Sequence, residues 1–459
     1  MKPILTLSES KVLDGHLIEK LGLSPSLLVE KAGQAAAGII GSEIPGNAPI
    51  VFLVGPGNNG ADGLVAARAL ALSGHHVSVY LYKHEKANSL NREMSKRIGE
   101  YADLIENLPP PCPSVTAVEA LFGFGFKGEL SSALSEWFDS VGRVYALDAP
   151  AGFSYHAYKT ITFTLPKSEF YFGGRESAGL IDIVNPGFPD AELDVHTGLC
   201  LIGPDDISHS RLPLTAYKNI RGHVALLAGS EEYTGAAVLA SKALYKSGAG
   251  LVSLYSSSHV TDSVINSEPG VIAGNRDSLS SYDAVLAGPG WGKGDEMMLD
   301  KAIMSSRPMV IDADGLKLLN GRRLYEGTVL TPHLGEFRSL LCQYGIPGGL
   351  SEESIKALSS LSGAVVAVKS SVVYISDGKT VYVFDGENPA LGVAGSGDIL
   401  SAVIASALAR GEAPLQAAID GVIMHQSAGR RLADAKGLFT AGELLEEIGR
   451  TCFRYIFSR

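Results

Sequence analysis

The sequence predicts an α/β protein in two domains, each built on a parallel sheet. Three observations carry that expectation. The 459 residues are enough, at roughly 150 per domain, for two or three separate cores. Short, nearly continuous apolar runs alternate with Ala- and Leu-rich stretches of helical period, the signature of strands covered on both faces. Glycine is in excess, 53 residues against 22 prolines, with no Gly-X-Y period, so it marks tight turns or backbone that approaches a ligand.

In chain order, the apolar run Pro49–Val54 ends in glycine and reads as a strand. Leu64–Ser73 carries Ala and Leu at helical spacing, and Val77–Tyr82 is the next strand. Val144–Leu147 and Thr160–Leu165 follow as strands. Beyond them Val224–Leu227, Leu251–Tyr255, Ala284–Ala287, Met309–Ile311, Val365–Val368 and Val372–Ile375 repeat the pattern. Helices are expected at Ala236–Ser247, Glu352–Leu361, Ile399–Ala409 and Leu415–Leu432. Periodicity is weakest between about Pro186 and Arg221, a stretch rich in Pro and Asp. The boundary is therefore placed near residue 208, giving domains 1–207 and 208–459.

Composition narrows the function classes. Lys plus Arg is 38 and Asp plus Glu 49, a net charge of -11 with no basic cluster, which argues against nucleic acid as a partner. Cys112, Cys200, Cys342 and Cys452 lie far apart, without the spacing of a zinc site or a disulfide framework. The N-terminal apolar stretch is too short for a signal peptide, and no uncharged apolar run reaches the roughly 18 residues of a membrane span. A soluble, cytoplasmic protein acting on small molecules is expected.

Two constellations carry chemistry. The first follows strand Pro49–Val54: Gly55-Pro56-Gly57-Asn58-Asn59-Gly60-Ala61-Asp62-Gly63. Gly55, Gly57 and Gly60 satisfy G-x-G-x-x-G, and Glu85 after the next strand stands where a ribose-binding acid would, so an ordinary dinucleotide-binding reading is one alternative. A plain tight turn explains the glycines but not Asn58, Asn59 and Asp62. Those residues crowd donors and acceptors at a strand's C-terminal end, where open α/β sheets bind ligands. Asp148 also ends a strand, where it serves either acid–base chemistry or as a helix cap.

This loop, with Leu28–Gly33, Ala120–Glu129, Ala146–Gly152 and Thr160–Phe163 followed by Lys167, resembles the NAD(P)HX epimerases, the YjeF N-terminal domain family, over most of residues 1–205. The resemblance implies a Rossmann-like three-layer domain that interconverts the R and S forms at C6 of hydrated NADH or NADPH. It implies substrate contacts at Asn58, Asn59, Gly60, Ala61, Asp62, Gly123, Phe124, Gly125, Phe126, Lys127, Gly128, Glu129 and Asp148. Asp148 and Lys167 are the implied catalytic pair, with an ordinary surface lysine the alternative for Lys167. It further implies a potassium ion near Asn59, Glu119 and Ala151. This chain departs from the family at Ala61, Glu119, Ala151 and Tyr158, and Ala151 removes one oxygen ligand.

The second constellation spans about 180 residues in fixed order. It comprises Lys218–His223, Ala228-Gly229-Ser230, Tyr233–Ala237, Ser247–Val252, Gly288–Gly292, Asp312-Ala313-Asp314, Thr331–Phe337, Lys369-Ser370-Ser371 and Ala394–Asp398. Gly395, Ser396 and Gly397 free backbone N–H groups at a helix start, an anion hole for a transferring phosphoryl group. Asp398 beside them either takes a proton from an attacking hydroxyl or caps the helix.

These segments resemble the NAD(P)H-hydrate dehydratases, a branch of the ribokinase-like fold, over residues 211–459, with mild departures at Trp291, Ser396 and Lys369-Ser370-Ser371. The resemblance implies a ribokinase-like α/β domain that phosphorylates the C6 hydroxyl of the S-hydrate with ADP or ATP and magnesium, ADP giving AMP and phosphate. Ala236, Gly290, His333 and Asp398 would then line the hydrate site. Lys369, Ser370, Ser371, Val372, Val373 and Gly397 would line the nucleotide site. Asp312 and Asp314 either assist magnesium or cap a helix. A homo-oligomer is also implied. The competing reading is a small-molecule kinase carrying an N-terminal nucleotide-binding module without epimerase activity.

Overall fold

The computed structural model describes the chain except Asn47, Gly125, Lys127, residues 209–211, Leu214, Arg276 and residues 458–459. The chain divides into two compact units, residues 2–197 and residues 198–459 with Met1.

The first unit holds β1 (Lys2–Pro3), β2 (Ile50–Val54), β3 (Val77–Leu81), β4 (Asp103–Ile105), β5 (Thr116–Ala120), β6 (Arg143–Leu147), β7 (Lys159–Phe163) and β8 (Leu180–Val184). Seven of them form one parallel sheet in the order β4-β3-β2-β5-β6-β7-β8. Ile50 through Val54 are all buried because helices cover both faces. Val29, Ile40, Phe52, Leu64 and Val65 meet on one side, and Val51, Leu53, Trp137, Phe138 and Tyr155 on the other. Strand order reverses between β2 and β5, which opens a crevice at their C-terminal ends.

The helix after β2 runs Asn58–Leu72, starting earlier than the expected Leu64. Most of the glycine-rich segment is therefore helix, not loop. The glycines serve close packing there: a Cβ on Gly55 would lie 1.7 Å from Leu121 O, and one on Gly60 would lie 1.9 Å from Gly55 O.

The second unit holds β9 (Leu199–Ile202), β10 (His223–Leu227), β11 (Leu251–Tyr255), β12 (Ile272–Ala273), β13 (Ala284–Ala287), β14 (Met309–Ile311), β15 (Thr328–Leu330), β16 (Val365–Val368), β17 (Val372–Ser376) and β18 (Val381–Asp385). They line up as β9-β18-β17-β16-β15-β14-β13-β10-β11-β12. The strands from β10 to β16 are parallel, but β17 runs antiparallel to both β16 and β18. This sheet is mixed rather than parallel because three residues join β16 to β17, too few for a crossover helix. β9 pairs with β18, so this unit takes in residues ahead of position 208. Helices Thr234–Lys246, Ser396–Ala409, Pro414–Lys436 and Ala441–Phe457 pack over the sheet through Ala240, Leu244, Ile404, Ile423 and Ile448.

All four cysteines are free thiols, and no described helix is long and apolar enough to cross a membrane.

Candidate active sites

In the N-terminal unit a cavity of about 660 Å³ opens at the strand ends of the crevice. Asn58, Asn59, Asp62, Gly123, Phe124, Phe126, Asp148 and Lys167 line it, brought together from four stretches of sequence. Gly60 and Ala61 are buried in the first turns of helix Asn58–Leu72 and do not reach it. Gly128 and Glu129 are exposed and lie outside it, Glu129 on a separate surface pocket. Gly125 and Lys127 fall outside the described residues.

Asp148 is not a helix cap. Its backbone sits at φ 66°, and its Oδ2 accepts the Phe124 N–H at 3.1 Å. Such left-handed strain in a non-glycine residue is concentrated at functional sites. Enclosure, reinforced by the Asp148 charge, pushes the pKa of the Asp62 carboxyl well above the usual carboxylate range. Asn59 is only 8% exposed, and neither polar atom of its amide has a partner among the described residues. A buried amide left unpaired at a cavity wall is poised for a ligand.

Lys167 is no surface lysine: it is 3% exposed, and burial lowers its pKa against the pull of Asp148 and Asp14. Its Nζ donates to Phe163 O at 2.5 Å and Leu165 O at 2.7 Å, gripping the turn where Thr164 adopts φ 70°. With a longer contact to Thr162 Oγ1 at 3.4 Å, all three of its protons have acceptors on the segment Thr162–Leu165. Asp14, on helix Leu7–Leu21, also lines the cavity and accepts from Thr164 Oγ1 at 3.3 Å. Sequence reasoning missed Asp14, since an acid on an amphipathic helix carries no distinguishing signal.

Of the residues named for potassium, Asn59 keeps an unpaired amide at the cavity wall, while Glu119 and Ala151 are engaged with each other. Glu119 is fully buried, and four donors surround its carboxylate. Oε1 accepts from Leu121 N at 2.6 Å and Phe122 N at 3.3 Å, and Oε2 from Ala151 N and Tyr155 Oη, each at 3.0 Å. Burial still lifts its pKa to about 7. Ala151 turns an N–H toward the Glu119 carboxylate and has no side-chain oxygen to offer a cation.

In the C-terminal unit the expected residues gather at the C-terminal ends of the parallel strands. Lys369 N donates to Pro332 O at 2.7 Å, which sets His333 beside Lys369. Lys369 Nζ lies 2.6 Å from Asp312 Oδ1, and Asp312 is 1% exposed. The Lys369 ammonium also lies 3.3 Å from where a Cβ on Gly397 would stand. Gly290, at φ 64°, packs against Ala236. Ser370 donates to Val372 O, and Ser371 O accepts from Gly386 N at 3.2 Å. Val372 and Val373 are buried strand residues whose side chains belong to the core.

The anion-hole helix runs Ser396–Ala409, with Gly395 as its N-cap at φ 90°. Asp398 is in its first turn, not at the cap. Its pKa is raised to about 7, first by burial and then by Asp312, with Lys369 opposing. Asp314 accepts Gly292 N at 2.8 Å and pairs with Lys317. His333 caps helix Leu334–Gln343: its Nδ1 accepts from Gly335 N at 3.0 Å and Glu336 N at 3.2 Å. That leaves the Nε2–H toward Glu336 Oε1, 3.4 Å away. Among the described residues no three His, Cys, Asp or Glu side chains group to hold a metal.

Comparisons with known proteins fall in the same two units. Residues 26–168 match the family model of YjeF-related protein N-termini, and residues 224–450 match that of NAD(P)H-hydrate dehydratase. The bifunctional NAD(P)H-hydrate repair enzyme of Gloeobacter violaceus is 30% identical over 459 residues, covering 90% of each chain. That of Hyperthermus butylicus is 29% identical over 97% of this chain and 91% of its own. A ribokinase-like superfamily protein of Enterococcus faecalis superposes with TM-score 0.52 at 21% identity, over 57% of this chain and 98% of its own, a likeness of fold. With a 30% identical relative matched along 90% of both chains, and a family model matched in each half, this chain belongs to the family of bifunctional NAD(P)H-hydrate repair enzymes.

Proposed function

We propose that the two units divide one repair. The C-terminal site dehydrates the S form of hydrated NADH or NADPH at the expense of ADP, and the N-terminal cavity interconverts the R and S forms. The observation that carries the first half is Asp398, with its pKa near 7, beside the Gly395–Gly397 anion hole and the Lys369 ammonium.

Asp398 takes the proton of the C6 hydroxyl as that oxygen attacks the terminal phosphorus of the nucleotide, and AMP leaves. The backbone N–H groups of the hole and Lys369 stabilise the charge that develops on the phosphoryl oxygens. Hydroxide is a poor leaving group and phosphate a good one. The ring nitrogen's lone pair then expels phosphate from C6, and loss of a proton from C5 restores the dihydropyridine. Magnesium, carried on the donor's phosphates, would neutralise charge there; the described residues offer it no three-ligand cage of their own. Lys369 and Gly397 hold the nucleotide side, while Ala236, Gly290 and His333 line the hydrate side.

In the N-terminal cavity the C6 hydroxyl departs with the help of the ring nitrogen, and water returns on the other face. Asp62, whose pKa burial raises well above the carboxylate range, and Asp148 supply the acid and the base. Lys167 and Asp14 keep the wall in place.

The test is purified protein with S-hydrate, ADP and magnesium. Recovery of reduced-nicotinamide absorbance with release of AMP and inorganic phosphate is expected. A stable phosphoester without phosphate release would mean a kinase. No consumption of R-hydrate by the intact chain would remove the epimerase half.

A further inference from the structure

His425 lies within helix Pro414–Lys436, 4% exposed, and no step above uses it. Its Nε2 is 3.1 Å from Ser396 O and 3.0 Å from Ser396 Oγ, while its Nδ1 has no partner among the described residues. Burial holds its pKa down to about 4, so the ring is neutral and carries one proton. A carbonyl oxygen only accepts, so that proton belongs on Nε2. With the proton on Nδ1, the carbonyl would face a lone pair at 3.1 Å and the Nδ1–H would be buried unpaired.

This tautomer decides what Ser396 can do. The Nε2–H is shared between the Ser396 carbonyl and hydroxyl oxygens, so both accept. The hydroxyl hydrogen is then left without an acceptor among the described residues, although Ser396 is only 7% exposed. Ser396 is the first residue of the anion-hole helix, directly after Gly395 at φ 90°. A buried hydroxyl with a spare donor at that position matches an incoming oxyanion.

We propose that the Ser396 hydroxyl donates a hydrogen bond to the transferring phosphoryl group, and that His425 is the positioning residue that holds the serine oxygen as an acceptor on its other side. The proposal deepens the dehydratase reading and rests on it. Ser396 touches the phosphoryl group; His425 acts only through Ser396.

The experiment uses full-length protein carrying Ser396→Ala, Ser396→Thr, His425→Gln or both Ser396→Ala and His425→Gln, with S-hydrate, ADP and magnesium. Ser396→Ala is expected to lower kcat about tenfold with KM for the hydrate within about twofold, as befits loss of a bond to a charged group. Ser396→Thr should recover the rate to within about threefold of wild type. His425→Gln should lose part of the rate, and the double variant should fall no further than Ser396→Ala alone. A kcat within about twofold of wild type for Ser396→Ala overturns the proposal, and so do multiplying losses in the double variant. ADP binding by calorimetry, expected to weaken about tenfold in Ser396→Ala, gives a readout without turnover. Should His425→Gln not fold, the Ser396 variants and this binding arm decide the question. A wild-type protein that binds ADP without dehydrating the hydrate would instead sink the dehydratase reading.

Discussion

In the N-terminal unit Asp62, Asp148, Lys167 and Asn59 face a cavity of about 660 Å³; in the C-terminal unit Lys369, Asp398 and His333 stand along a row of strand ends. Both sites sit where α/β sheets bind ligands, yet their charges are arranged differently. The first disfavours charge: burial raises the Asp62 pKa well above the carboxylate range and lowers that of Lys167. The second holds an ion pair, Lys369 with Asp312, and an acid whose pKa burial, with those charges acting second, raises to about 7. The difference follows the chemistry. Moving a hydroxyl between two faces of a ring creates no lasting charge and asks for paired proton donors and acceptors in a dry pocket. Transferring a phosphoryl group brings several negative charges and asks for fixed dipoles and a cation.

That comparison breaks most sharply at Asp398. Asp398→Asn should lower ADP-dependent dehydration about a thousandfold and leave the epimerisation rate within about twofold, followed by separate assays on S- and R-hydrate. The reciprocal change, Asp148→Asn, should lower epimerisation about a hundredfold while pure S-hydrate is dehydrated at the wild-type rate. Equal losses in both assays from either variant would mean that the two sites are not independent.

The pH dependence sharpens the contrast. Asp398 must be ionised to accept a proton, so kcat/KM for dehydration should fall about tenfold per unit below pH about 7. Lys369 opposes the rise in that pKa, so Lys369→Met should move the acid limb upward. An unmoved limb would mean that another group titrates. The smallest effect concerns potassium. Because four donors surround Glu119, replacing potassium by choline should change epimerisation by less than about twofold. A larger dependence would place a cation elsewhere on the cavity.

The motif segments were legible because they lie where an apolar strand ends or a glycine-led helix begins, and strand ends are where ligand-binding residues gather. Glu119 shows where that legibility stops. Its charge interrupts the run Thr116–Ala120, so β5 was not among the expected strands, although all five of its residues are buried. The carboxylate is tolerated there only because Leu121, Phe122, Ala151 and Tyr155 donate to it. Helix Leu7–Leu21 was missed for another reason. Its ties to the Lys167 segment, Ser168 N to Leu5 O at 2.8 Å and Leu7 N to Glu169 Oε1 at 3.1 Å, join residues about 160 positions apart.

By itself, then, the sequence determined the two α/β halves, the order of their chemical segments and the glycine-lined strand ends, because period and turn chemistry are local. Only the tertiary structure decided which polar groups meet. It put Asp312 under Lys369, turned four donors onto Glu119, tied Lys167 to the turn after β7 and set His425 behind Ser396. Those pairings depend on crossover connections that bring distant strand ends together, and on burial that makes every unpaired polar atom costly. The glycine excess is resolved the same way: at Gly55 and Gly60 it answers backbone that passes too close for a side chain, which no local pattern records.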